Sequence, residues 1–187
     1  MYSLPAACAA LLTQLTQIDS VEAGCRSLTV PLDAAGDSLA WLSAQPHRPQ
    51  LWWQHRSGQE QVALCGAIRR YQTLYQAEQA CRHLPVNWRI WGGNRFEAAN
   101  SFFFLPRLMW RRDRRGDRLT LFLHSDSCLR DDARAAARFL QQLLPSRPLP
   151  PLTGTLRERQ CQPEQAEWRR RVETALATID AGVLEKV

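Results

Sequence analysis

Apolar residues recur at spacings of three and four through Leu4, Ala7, Leu11, Leu12, Leu15 and Ile18, the period of one helix face. The chain is therefore expected to open with an amphipathic helix that stops before Asp19-Ser20. From Arg26 to Leu32 the pattern changes to alternation, the period of a strand. Asp37-Ser38 can cap a short helix through Trp41 and Leu42, which Pro46 and Pro49 then break. Leu51 to His55 and Gln61 to Arg70 are extended runs on either side of Ser57-Gly58, the pattern of a β-hairpin.

Leu74, Ala77, Ala80, Cys81 and Leu84 mark a further helix, stopped by Pro85, and Trp88 to Trp91 reads as a short strand entering Gly92-Gly93-Asn94. Ser101 to Arg111 and Arg118 to His124 are the clearest strands. Asp131-Asp132 places negative charge at the start of a helix striped by Ala135, Phe139, Leu140, Leu143 and Leu144, which suits the helix dipole. Prolines 145, 148, 150 and 151 stiffen the next stretch and mark a boundary between region 1–150 and region 151–187. Thr153 to Gln160 is expected to form a strand. A last helix starts near Pro163, carries Trp168, Val172, Ala175, Leu176 and Ile179 on one face, and ends at Gly182. Val183 to Val187 then reads as extended, and a strand with no partner of its own points to a further portion beyond Val187.

At 187 residues, 45% hydrophobic and 22% charged, the chain has the composition of a globular protein, not of a disordered or collagen-like one. No apolar run approaches the roughly 20 residues of a membrane-spanning helix, so no membrane association is expected. Six scattered cysteines, Cys8, Cys25, Cys65, Cys81, Cys128 and Cys161, show no Cys-x-x-Cys pair and no histidine at ligand spacing. They read as reduced thiols in a cytoplasmic protein without a zinc site.

A formal charge of +6 makes affinity for anions plausible, and Arg107 to Arg118, with six arginines and two aspartates, supplies most of it. Such a run can contact phosphates while Trp110 stacks on a base, or it can be the solvated tip of a hairpin. The tip is favoured, because Arg169 to Arg171 is the only other basic cluster, and no nucleic-acid partner is expected. Gly92-Gly93 lacks the third glycine of a dinucleotide cradle and reads as a tight turn. His47, His55, His83 and His124 stand outside any recognisable nucleophile motif. Lys186 is the single lysine. Buried on a strand between Leu184 and Val187 it would lose its proton easily and serve as a general base; near a chain end it is more usually solvated.

Several segments, taken in order, carry a family resemblance. They are Leu39-Ala40-Trp41-Leu42, Gln50 to Gln54, Gly66-Ala67-Ile68, Arg89-Ile90-Trp91-Gly92 with Asn94 and Phe96, and Leu105-Pro106-Arg107 with Trp110-Arg111-Arg112. The closing Ile179-Asp180-Ala181-Gly182-Val183-Leu184-Glu185-Lys186-Val187 completes the set. Together they resemble the N-terminal part of the isochorismate synthases of menaquinone biosynthesis, members of the chorismate-utilising enzyme family.

The resemblance implies an α/β fold of the α+β type, with large antiparallel sheets and helices packed outside, incomplete in this chain. It places an N-terminal α/β region at 1–150 and the start of the catalytic region at 151–187. It further implies isomerisation of chorismate to isochorismate, in which water adds at one ring carbon as the hydroxyl at another departs. Lys186 matches the lysine that deprotonates that water. The glutamate acid and the glutamates that hold Mg2+ would lie after Val187, so this chain alone is expected to be inactive. An anthranilate or salicylate synthase, or a basic nucleic-acid or interaction module, remains an alternative, and the oligomeric state is left open.

Overall fold

Strands form where side chains alternate between two environments, and the computed structural model shows that sorting in β1, while the central strands β5 and β6 are buried through most of their length. It describes residues 1–33, 36–94, 101–151, 153–154 and 161–183. The elements in chain order are α1 (Leu4–Leu15), β1 (Gly24–Leu32), α2 (Ser38–Ala44), β2 (Gln50–Gln54), β3 (Glu60–Tyr71) and α3 (Leu74–Cys81). They continue with β4 (Trp91–Gly93), β5 (Phe102–Asp113), β6 (Gly116–Ser125), α4 (Leu129–Gln141) and α5 (Gln165–Asp180). The chain divides into two compact units, Met1–Leu149 and Pro150–Val187.

The first unit is one antiparallel sheet ordered β1-β6-β5-β3-β2, with β4 joined to the start of β5. The fold is therefore α/β of the α+β type. One face of the sheet is closed. Val30 and Leu32 of β1, Leu119, Leu121 and Leu123 of β6, and Leu108 and Trp110 of β5 all point into it at every second position. Against them pack Ala7, Leu11 and Leu15 of α1, Trp41 of α2, and Ala133, Ala136 and Leu140 of α4. Cys65 of β3 lies in this layer, where burial pushes its thiol up to about 12.

Local chemistry fixes the helix ends. The Asp37 carboxylate accepts from the amides of Leu39 and Ala40 at 2.8 and 3.1 Å and so caps α2, a contribution of about 1 kcal/mol. Thr73 accepts from the Gln76 amide at the start of α3. Helix α1 stops at Leu15 instead of reaching Ile18, and a turn folds Ile18 back into the core. At the far end of α4, Gln45 is fully buried. Its amide nitrogen donates to the carbonyls of Trp41 and Leu144, and its oxygen accepts from the Leu144 amide. One side chain thus ties the exit of α2 to the exit of α4.

Two expectations shift. The strand expected at Trp88 to Trp91 lies instead at Trp91–Gly93. Trp88 closes a turn by donating its amide to Pro85, and its ring packs edge-on to Phe122. Of the strand expected at Thr153 to Gln160, residues 153–154 are not in a strand and the remainder lies outside the described residues. The sheet ends in β1 on one side, where Tyr2 bridges to Leu32, and in β2 on the other.

Candidate functional site

Lys186, the expected base, lies outside the described residues together with Leu184, Glu185 and Val187. The helix that leads toward it is described. α5 ends where the Gly182 amide donates to Ile179 and the Val183 amide to Thr178, with Gly182 at φ +71°. That left-handed turn satisfies the last carbonyls and is open to glycine without steric cost. Trp168, Val172 and Leu176 form the expected apolar stripe, yet all three are exposed and no residue of α5 is buried. Arg171 pairs with Glu167 one turn back.

The arginine run is less of a solvated tip than expected. Arg114 and Arg115 occupy the β5–β6 turn and are exposed, but the flanking arginines are held by carboxylates. Arg107 is buried and grips both oxygens of Asp132 at 2.7 and 2.8 Å while donating to the Phe122 carbonyl at 2.9 Å. Asp132 also accepts from the His124 amide, so it joins α4 to β5 and β6 besides facing the helix dipole. Arg112 donates to Asp117 and to the Gly36 carbonyl, and Asp117 also accepts from the Trp110 indole. The Asp117 contacts hold the Arg112 guanidinium more firmly protonated than usual.

Across the sheet from the helices, the side chains that alternate with the core form a different surface. Register places Ser27 opposite Phe122, Thr29 opposite Thr120, and Pro31 opposite Arg118. Met109 stands opposite Thr120 and Arg111 opposite Arg118. The Pro85–Arg89 segment rises beside this surface and makes one wall of a groove of about 640 Å³. Arg111 Nε lies 2.9 Å from Glu60 and 3.0 Å from Asp113. Arg118 meets Asp113 at 2.5 Å, and Arg89 meets Glu60 at 3.0 Å. Burial opposes ionisation of Asp113. The Arg115 amide and the charges of Arg118 and Arg111 outweigh it, and its carboxyl sits below the ordinary range.

This groove was not legible as a site in the run of arginines. Its signal lay in the polar phase of β1, Ser27 and Thr29, alternating with Leu28 and Val30. A larger open hollow of about 1420 Å³ in the second unit is lined, among the described residues, by Cys161 to Arg171 along the flank of a single helix.

The remaining candidates stay apart. Among the described residues no three His, Cys, Asp or Glu side chains are grouped to hold a metal ion, so none of them fits Mg2+. His55 Nδ1 does meet a serine, Ser57 Oγ at 2.6 Å. The same nitrogen accepts from the Ser57 amide, which makes the contact a turn between neighbours, with no orienting acid among the described residues. His47 stacks on Phe139, and burial lowers its proton affinity. Cys8, Cys25, Cys65, Cys81 and Cys128 are free thiols. No helix of the described residues is long and apolar enough to cross a membrane.

Comparison with known proteins brings these observations together. No protein-family model matches the chain. Isochorismate synthase MenF of Escherichia coli is 39% identical over 191 residues, an alignment that takes in 100% of this chain and 44% of that protein. The enzymes of the same name from Pasteurella multocida and Haemophilus influenzae are 28% and 26% identical over 80% and 81% of the chain. The solved structure of the menaquinone-specific isochorismate synthase MenF from Escherichia coli superposes with a TM-score of 0.76 at 38% identity, over 95% of this chain and 42% of that one. The chain thus spans less than half the length of the curated relatives it matches.

Proposed function

We propose that this chain, which corresponds over its whole length to a partial region of isochorismate synthase MenF, serves the isomerisation of chorismate to isochorismate. The observation that carries the reading is the agreement of sequence and fold along essentially the entire chain. Residues 1–150 act as the N-terminal α/β scaffold and residues 151–187 as the start of the catalytic region.

In this reading Lys186 is the general base. Its amine takes a proton from water, the water oxygen bonds to one ring carbon, and the hydroxyl at another carbon leaves with a proton from an acid. An amine suits that role when loss of hydration lowers its proton affinity toward neutrality. The acid and the glutamate ligands of Mg2+ belong to sequence after Val187, where the metal would neutralise the substrate carboxylate. The chain places no step of its own on the metal. We place the protein in the cytoplasm, a reading supported by its free thiols. It needs no nucleic-acid partner, because four of the six arginines in the 107–118 run are paired within the chain.

The test compares two proteins supplied with chorismate and Mg2+. Residues 1–187 are expected to form no isochorismate, while the same sequence extended to the relatives' full length is expected to turn over. Lys186→Ala in the extended protein should abolish turnover with the melting temperature unchanged. Isochorismate formation by 1–187, or a retained rate in the variant, would overturn the assignment.

A further inference from the structure

We propose that β2, the outermost strand of the sheet, pairs antiparallel with β2 of a second copy of this chain about a two-fold axis through Trp52. The inference goes beyond the isomerase reading and uses no residue of 150–187. Gln50–Gln54 bonds to β3 along one edge, and its other edge has no partner among the described residues. A row of such backbone groups is a template for a further strand, and β2 has no charged side chain to oppose one.

Register decides which groups lie on that edge. The His55 amide donates to the Glu60 carbonyl and the Gly66 amide to the Pro49 carbonyl, in the same register that sets Leu51 opposite Leu64 and Trp53 opposite Val62. Along an antiparallel strand, residues that exchange bonds with one neighbour alternate with residues whose groups point away from it. Positions 49, 51, 53 and 55 are therefore turned toward β3, and the N–H and C=O of Gln50, Trp52 and Gln54 are turned outward. Pairing about Trp52 sets Trp52 opposite Trp52 and Gln50 opposite Gln54, so each of the three outward residues in both copies donates and accepts. A slip of one residue would face outward groups with inward ones and form no ladder. An axis through Leu51 or Trp53 keeps the alternation but leaves one outward residue beyond the end of the facing strand.

The side chains suit the same register. Gln-Leu-Trp-Trp-Gln reads nearly alike in both directions, which a self-complementary contact requires. On one face the amides of Gln50 and Gln54 meet as mutual donors and acceptors, and on the other Leu51 meets the partly exposed Trp53. Continued past the strand, the register sets Arg48 against Arg56 at each end, and that like-charge contact stops the pairing there. The two-fold pair uses the outer edge of β2 in both copies, so no third copy joins through this strand.

The experiment follows the mass of the 187-residue chain by sedimentation equilibrium across concentration. A monomer–dimer equilibrium with a Kd of about 10–500 μM is expected, the weak range of a small contact made largely by backbone. Raising the salt should tighten it, because screening relieves the Arg48–Arg56 contact. Hydrogen exchange read by NMR locates the contact: at high concentration the amides of Gln50, Trp52 and Gln54 should exchange about threefold or more slowly, and those of Leu51 and Trp53, already bonded to β3, should change less. Gln54→Pro removes an outward amide without touching a bond to β3, and should weaken association about tenfold or more. Gln54→Ala keeps that amide and should weaken it less than about threefold. Melting curves at low concentration confirm that both variants are folded.

A chain that stays single at about 1 mM would overturn the proposal. So would association that leaves the three outward amides unprotected, that Gln54→Pro retains in full, that weakens with salt, or that grows past two copies. None of these measurements reads turnover, so their failure and the failure of the Lys186 assignment are told apart.

Discussion

The two faces of one sheet carry opposite chemistry. On the helix-covered face, Val30, Leu108, Leu119, Leu121 and Leu123 meet α1, α2 and α4 in one apolar layer. On the other face the same strands present Ser27, Thr29, Arg111, Arg118 and Thr120. A period of two lets β1 and β6 build both surfaces without either constraining the other. One face therefore holds the fold together, and the other carries charge and hydroxyl groups.

The comparison breaks most visibly at the clamp between β5 and α4. Arg107→Met would leave the Asp132 carboxylate without its cation in a mostly buried position, and we expect a loss of about 3–5 kcal/mol in urea unfolding. Adding Asp132→Leu to it should return part of that loss, since the penalty lies in the unpaired charge. A single-variant loss below about 1 kcal/mol would show that the helix-covered face does not depend on this pair.

Gln45→Ala acts at the other end of α4. It would strand the amide and carbonyl of Leu144, and we expect about 2 kcal/mol of destabilisation, read from the unfolding midpoint. Thr120→Val, on the face across the sheet, should change stability by no more than about 0.5 kcal/mol, because Thr29 is exposed and its hydroxyl can turn to water. A large loss of stability there would erase the distinction between the faces.

How far the sequence revealed these features depended on how local their causes are. β5 and β6 were legible because Ser101 to Leu105 and Leu119 to Leu123 are apolar runs of strand length, a property of neighbouring residues, and α2 because Asp37 stands directly before it. Trp88 misled, since an aromatic residue packed from a turn has the same hydrophobicity as one in a strand; its partner Phe122 is distant in sequence. Arg107 misled in the same way. Within its run it is one arginine of six, and the carboxylate that buries it comes from Asp132, 25 residues later. The groove required the register of β1 on β6, which nothing along a single strand discloses. Lys186 was singled out by resemblance and by its uniqueness, and its surroundings lie outside the described residues.

The rims of the sheet are guarded unequally. β1 carries Arg26 and Pro31 and is bridged by Tyr2, features that discourage another strand from adding to it. β2, Gln-Leu-Trp-Trp-Gln, has no charge and only Pro49 beside it, and the Trp53 ring is partly exposed. In a concentrated preparation of this chain, self-association through strand addition would start at β2, so a lysine placed at position 53 is the first change to make for solubility and crystallisation.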